Sequence, residues 1–518
     1  MLRYRHVINL LQRRPYTAVP PLPPGSSNGN NSSDPEDNHP IRRTLRILGN
    51  DMRKVRDFFV PKEPIQEDVS ERIVVKSKFK FDGDKSKGRD RKVDDFQTHC
   101  DVLVVGGGGV GSSIAYWLKE KARDGLNVVV VEKDDTYTKS SIPVSIGGMC
   151  QQFSLPENIQ MSLFAADFMR NSREHFGTEI PLNYSPHGHL ILASTAEEAE
   201  RLRQTSQIQN EFGARNELLS PERLAMRFPW LNTQGITLAS HGLEKEGSFD
   251  SWSLLANFRR QATGHGAHFV QGEVVDFLFK KDSDIVVVGD ESSSYNGLDK
   301  AVIQMADGSQ RSVKFALCVI AAGSNSGQVA RLAKIGVGSG MLRIPLPIES
   351  RKRNMFILST QEQNAPGMAM PMIVDSSETF VRRHGLCGHY ICGHNGGQLS
   401  QEPVDQPSNT EYFEKHVKPI LSQRIPSLDS ATIENSWSGY FDYNVYDDNG
   451  IIGPHPYYNN LYVAAGFSGH GIQQSLAVGR AISELIMDGQ YRTIDLSRLS
   501  FDRLIVDQPI YELNNVLS

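Results

Sequence analysis

Residues 101–118, DVLVVGGGGVGSSIAYWL, constrain the fold more than any other stretch of the chain. DVLVV reads as a short apolar strand, and SSIAYWLKEKA reads as a helix. Between them Gly106, Gly108 and Gly111 give the spacing G-x-G-x-x-G. Gly106 permits a tight turn, Gly108 lets backbone approach a pyrophosphate with no Cβ in the way, and Gly111 lets the helix pack on the strand. The N–H groups at the helix start and the helix dipole then face an anion. A second strand, NVVVVEK (127–133), ends in Glu132, twenty-one residues after Gly111. A carboxylate there suits a ribose 2′-OH and disfavours a 2′-phosphate. Strand, helix, spacing and acid agree, so the motif predicts a Rossmann-type dinucleotide-binding unit in an α/β chain.

The loop alone does not separate NAD from FAD. Two later stretches do. VIAAG (319–323) reads as a late strand ending at Gly323 and returning beneath the nucleotide. Nearer the C-terminus come a strand, LYVAAG, a second glycine-rich turn, GFSGHG, and an amphipathic helix marked by Ile472, Leu476, Ile482 and Ile486. A second helix N-terminus suits the N1/C2 edge of a flavin, where reduction places negative charge. No C-x-x-C occurs, which excludes disulfide-reductase flavoenzymes. GVGSG (336–340) lacks the strand–helix frame of an NAD(P)H domain.

With 518 residues the chain can build about two to four domains' worth of core. A hydrophobic content of 39% against 22% charged marks it as globular. The net charge of −5 gives no reason to expect a nucleic-acid partner. No apolar run reaches the roughly 18–20 residues of a bilayer crossing. Five cysteines are too few for a disulfide framework and suit a reducing compartment. Residues 1–33 carry Arg3, Arg5, Arg13 and Arg14 and no acid, the composition of a mitochondrial transit peptide. Residues 34–98 read as a flexible linker containing one basic amphipathic helix, 41–59. There Ile41, Leu45, Leu48, Met52, Val55 and Phe59 recur at helical spacing among six arginines and lysines. That helix lies on an anionic membrane surface, docks on a partner or packs against its own domain; the three readings stay open. The folded body starts near residue 99. Within it, AVIQMADGSQRSVKFALCVIAAG (301–323) reads as a hairpin around Asp307-Gly308 that runs into a buried strand.

Over roughly residues 99–490 the chain resembles the D-amino-acid oxidase/sarcosine oxidase superfamily of flavoproteins. The opening strand–glycine–helix–strand–Glu unit matches, and so does the closing signature at Gly450, Gly453, Pro454, Gly466, Gly469, His470 and Gly471. The resemblance is closer still to one mitochondrial member, through SIGGMCQQFSLPENIQMSLF (145–164), RFPWLNTQGITLAS (227–240), ENSWSGYFDYNVYDDNGIIGPHP (434–456) and AAGFSGHGIQQS (464–475). It implies bound FAD, a mitochondrial matrix location, and a role in assembling respiratory complex I through its subunits or intermediates; on the membrane reading of 41–59, the surface met would be the inner membrane. Residue by residue, it implies that Gly106, Gly108, Gly109 and Gly111 face the pyrophosphate and Glu132 the adenosine ribose. Lys133, Ser140 and Ser141 would lie along the adenosine and phosphates, Val274 would meet adenine through its backbone, and Gly323 would close the late strand. Gly466, Gly469, His470, Gly471 and Ile472 would form the turn under the flavin pyrimidine edge. The implied architecture is an FAD domain (99–190, 240–335 and 435–490) with an inserted antiparallel, β-rich substrate domain (mainly 191–239 and 340–434) and a tail packed on the body.

Such enzymes take a hydride from the carbon beside an amine, so a binder for the substrate carboxylate is the residue to find. Arginine suits this through its forked donors. Arg382, in TFVRRHGLCGHYICGHNG, is the first choice; Arg353, in IESRKRNMF, is the second, beside Arg351 and Lys352. Tyr440 would cap the site with its hydroxyl, and His470 would donate to the flavin edge. Each has an ordinary alternative: a surface arginine, a packed tyrosine, an outward helix-start histidine. One departure stands out. Where relatives carry basic residues near the flavin, this chain reads SIGGMCQQF, with Gln151 and Gln152 and with Cys150 as a small packing residue. That puts amino-acid oxidation in doubt more than flavin binding. Cys387, His389, Cys392 and His394 fit no usual zinc spacing, and their alternation reads as a strand, so no metal is expected there.

Overall fold

Near-continuous valine runs flank the glycine loop, and such runs suit parallel strands buried on both faces. In the computed structural model β1 (His99–Val105) runs into α1 (Gly109–Ala122), and β2 (Val128–Glu132) follows. The two strands pair in parallel, with Val102, Val104, Val128 and Val130 fully buried. A two-residue strand, β3 (Gly148–Met149), precedes α2 (Pro156–Arg170). The chain then leaves for a second sheet through β4 (His189–Ala193), α3 (Ala196–Glu211), β5 (Asn216–Leu219) and β6 (Leu238–Gly242). It returns through β7 (Gly247–Ser248), α4 (Ser251–Gly264), β8 (His268–Val286), β9 (Ser294–Met305) and β10 (Gln310–Ile320). The next excursion holds β11 (Ile348–Ser359), β12 (Met372–Val374), β13 (Thr379–His384), β14 (His389–His394) and β15 (Thr432–Asn444). β16 (Ile451–Pro454), β17 (Leu461–Ala465) and α5 (Gly471–Asp488) bring it back. The structure describes residues 96–513 except 178, 287–293 and 396–409. The transit-peptide reading of 1–33 and the helix reading of 41–59 lie outside the described residues.

The first sheet has seven strands. β8 starts parallel to β2 and continues antiparallel to β9, while β10 leaves β9 to run parallel to β1. The β9–β10 hairpin turns at Gly308, whose φ of 82° matches the expected Asp-Gly turn. α1 and α5 cover one face of this sheet, and small residues let them approach closely. A Cβ on Gly479 would collide with Ser113, and Trp117 Nε1 donates to the Leu476 carbonyl at 3.0 Å. α5 ends on Gly489 at φ 72°, the left-handed cap that releases the chain from a helix.

The second sheet has eight strands in the order β15-β11-β14-β13-β12-β4-β6-β5, antiparallel apart from β12 on β4. β15, placed by the sequence reading with the FAD domain, hydrogen-bonds to β11 along its whole length. Its pattern of aromatics around a glycine, WSGYFDYN, serves a sheet edge as well as it serves the nucleotide layer, and only the pairing decides. The fold is therefore α/β, with a Rossmann-type layer and an antiparallel, β-rich second layer, each with its own hydrophobic core.

Candidate functional site

The glycine loop opens one end of a cavity of about 720 Å³, within the roughly 300–1,000 Å³ of ligand pockets. Gly106, Gly108, Gly109, Glu132, Lys133, Ser140, Ser141, Val274, Gly323, Tyr440, Gly471 and Ile472 all line it. Residues from six separate stretches of sequence thus meet around one space. The glycines divide by task. Gly106 takes φ 102°, and a Cβ there would overlap the Ala321 carbonyl. A Cβ on Gly111 would overlap the Gly106 carbonyl, so this glycine sets the helix–strand packing. Gly108 differs: a Cβ on it meets nothing within 4 Å, because its side opens on the cavity. That open strip beside a helix N-terminus is the space a pyrophosphate needs.

The far wall is polar and ordered. Glu132 accepts the Gly107 N–H at 2.7 Å through Oε2 and the Asp134 N–H at 2.9 Å through Oε1. Burial raises its pKa, and those N–H bonds pull it partly back. Lys133 sits at the rim in an exposed ion pair with Glu273 at 2.6 Å. Ser140 Oγ donates to the Tyr137 carbonyl at 2.8 Å, and Tyr137 donates to the Gly107 carbonyl at 2.9 Å. Tyr137 thus braces the loop from behind.

At the other end stands the second glycine turn. Gly466 takes φ 85°, and its space is filled by Ile348 rather than by the cavity. Its N–H and that of Phe467 both donate to Asp442 Oδ2, at 2.6 and 3.0 Å. Asp442, carried in by β15, is the residue that sequence reasoning missed: it lies twenty-four positions from its partner, with no local signal linking them. Gly469 takes φ 99° and feeds His470, the N-cap of α5. His470 is packed edge-on to Phe153 at 4.8 Å. Burial and then Arg353 push its pKa down to about 3, so the ring is neutral.

The two arginines proposed for the substrate do not line this cavity and lie on the second sheet, whereas Tyr440 lines it. Arg353 on β11 and Arg382 on β13 fall on the same face as Met355 and Phe380 by strand alternation. Arg353 is buried, its cation 4.4 Å from the Phe441 ring centre. Arg382 Nε donates to the Ile146 carbonyl at 2.7 Å and Nη1 to the Arg383 carbonyl at 2.9 Å. These bonds aim the guanidinium at the loop that runs into β3. Burial draws both arginines down to about 10, which leaves them cationic. Arg351 instead stacks 3.1 Å from the Tyr443 ring centre. His389, Cys392 and His394 run along β14, as the alternation predicted, and Cys392 Sγ points to the Phe356 carbonyl at 3.8 Å.

A two-layer α/β body, a glycine-built nucleotide cleft and a second helix N-terminus at its far end define a flavoprotein oxidoreductase. Residues 101–485 match the family described as FAD dependent oxidoreductase, and the chain belongs to that family. It is 63% identical over 522 residues, 100% of each chain, to a Drosophila melanogaster protein named FAD-dependent oxidoreductase domain-containing protein 1 homolog. The Xenopus laevis protein named FAD-dependent oxidoreductase domain-containing protein 1 is 44% identical, over 80% of this chain and 85% of that one. Among solved structures, L-proline dehydrogenase from P. horikoshii aligns with a TM-score of 0.66 at 24% identity, covering 80% of this chain and 100% of that one. Glycine oxidase from Geobacillus kaustophilus gives 0.60 at 19%, covering 78% and 98%. These two show the fold. FAD is the cofactor, and the open face of Gly108, the Glu132 carboxylate and the α5 N-terminus fit it.

Proposed function

We propose that this chain is an FAD-binding oxidoreductase of the mitochondrial matrix that acts on the C–N bond of a small amine or amino acid and serves the assembly of respiratory complex I. One observation carries the chemical half. Arg382 is held by two backbone carbonyls, and its Nη2 makes no hydrogen bond to the described residues. A guanidinium fixed in this way offers its remaining donor to a carboxylate at little further entropic cost. FAD supplies the hydride acceptor. His189 and His470, both held neutral by burial, add no positive charge, so Arg382 and Arg353 set the field and favour an anionic group. Tyr440 stands on the wall of the nucleotide cavity itself. The glycine oxidase likeness, and a 23% identical rat protein named mitochondrial dimethylglycine dehydrogenase that spans 76% of this chain, support the general kind of reaction.

Anaerobic titration of the purified flavoprotein with N-methyl and free amino acids tests this reading. One carboxylate-bearing amine should bleach the flavin absorbance, and Arg382→Leu should raise the concentration needed by about 100-fold, or about 2.7 kcal/mol, with flavin content unchanged. No bleaching by any compound, or an unaltered Arg382→Leu titration, would contradict it.

The assembly half rests on the acid-free arginine-bearing N-terminus, on the basic 41–59 segment as the surface for complex I subunits, intermediates or the inner membrane, and on the resemblance of residues 145–164 and 434–456 to a mitochondrial assembly protein. Cells lacking the chain should show less fully assembled complex I on native gels. A normal amount would sink this half and leave the amine chemistry standing.

A further inference from the structure

β3 and β7 form a two-stranded antiparallel ribbon in which Met149 faces Gly247. The next residues out, Cys150 and Glu246, therefore stand opposite each other where the chain enters and leaves the ribbon. β4 crosses beside them and contributes His189, whose Nε2 lies 3.2 Å from where a Cβ on Gly148 would stand. The thiol, an imidazole nitrogen and a carboxylate oxygen all lie within 4.8 Å of one another. All three residues are buried: His189 is 0% exposed, Cys150 2% and Glu246 3%. Both ring nitrogens of His189 lack a hydrogen-bond partner. A fully buried imidazole with neither nitrogen engaged is costly unless something else binds it.

We propose that Cys150, His189 and Glu246 bind a divalent zinc ion. Sulfur, nitrogen and oxygen donors in one tight group suit zinc, and three protein ligands leave one coordination position for water or another small ligand. Zinc bonds of about 2.0–2.3 Å place tetrahedral donors about 3.3–3.8 Å apart, so the group must close by about 1 Å. Side-chain rotation covers that distance. Metal binding displaces the thiol proton and any proton on Glu246, and thiolate and carboxylate together neutralise the 2+ charge. The buried unit is then uncharged overall, which removes the penalty of placing ions in a dry interior.

The surroundings already favour such a unit. Gln152 donates its backbone N–H to Cys150 Sγ at 3.4 Å, and its Nε2 to Glu246 Oε2 at 2.9 Å and to the His189 carbonyl at 3.2 Å. Gln151 N–H donates to Glu246 Oε1 at 2.8 Å. The glutamine pair therefore holds the thiol and the carboxylate directly and the backbone of His189, and leaves the imidazole nitrogens open.

The test uses the full-length, tag-free flavoprotein, incubated with zinc sulfate, dialysed and assayed for metal by mass spectrometry. About one zinc per chain is expected. Cys150→Ser should lose at least 10-fold of it with flavin content and melting temperature retained, while Cys387→Ser, an exposed thiol, should lose none. His189→Gln provides a second variant should Cys150→Ser not fold. Cobalt(II) in place of zinc should give a thiolate charge-transfer band in the wild type, a reading that needs no variant. Less than about 0.1 zinc per chain with no cobalt–thiolate band, or equal zinc in Cys150→Ser and Cys387→Ser, would overturn the proposal.

Discussion

The nucleotide cradle and the cluster of Cys150, His189 and Glu246 are built in opposite ways. In the cradle the working parts are backbone: N–H groups, a helix end and the missing side chain of Gly108. In the cluster they are side chains gathered from β4 and from the residues next to β3 and β7, with Cys150 and Glu246 96 positions apart. Backbone devices need particular residues at fixed spacing. Side-chain convergence needs only that sheets stack correctly, and many sequences satisfy that.

Three substitutions press on the contrast. The largest effect is expected from Gly111→Ala, whose Cβ would overlap the Gly106 carbonyl and force α1 off β1. A loss of about 3 kcal/mol or more is expected, read as insoluble protein or a sharply lowered denaturant midpoint. Unchanged stability would show that the helix can move and that the packing is not set by this glycine.

A smaller effect belongs to His470. Its pKa lies near 3 in the fold against an ordinary 6.5, because of burial and then the Arg353 charge. Its neutral form is favoured on folding, so its contribution is complete above about pH 6.5 and drains away as pH falls toward 3. His470→Asn should flatten the stability profile across that acidic window by on the order of 1–3 kcal/mol. A mutant profile parallel to the wild type would place the ring in water rather than against Phe153.

The smallest effect tests the tail. Glu512 accepts from Ser154 N–H and Oγ, both at 2.5 Å, and from Asn158 Nδ2 at 2.6 Å, so it caps the start of α2 from the other end of the chain. Glu512→Ala should cost about 1–2 kcal/mol in thermal or denaturant unfolding. No loss would mean that the tail contributes nothing to the helix it touches.

The same contrast explains what could be read in advance. Gly106, Gly108, Gly111 and Glu132 were legible because each has one physical reason for its residue type and spacing. Gly466 and Gly469 were legible as a turn, but not that Ile348 fills the space beside Gly466. Asp442 was invisible: an acid in an aromatic strand carries no mark that it will hold two backbone N–H groups from a distant turn. Cys150 read as a packing residue, since nothing in the chain ties it to His189 or Glu246 before β3 and β7 pair. Arg382 was found by its residue type, and its aim came from the Ile146 carbonyl, 236 positions away.

The most direct test of the account is FAD binding by deflavinated wild-type protein beside Gly108→Ala. A Cβ there meets no protein atom within 4 Å, so the flavin-free variant should melt like the wild type. The same Cβ occupies the space assigned to the pyrophosphate, so FAD affinity should fall about 100-fold, or about 2.7 kcal/mol. Equal affinity in the two proteins would show that FAD does not pass along the glycine loop and would contradict the site described above.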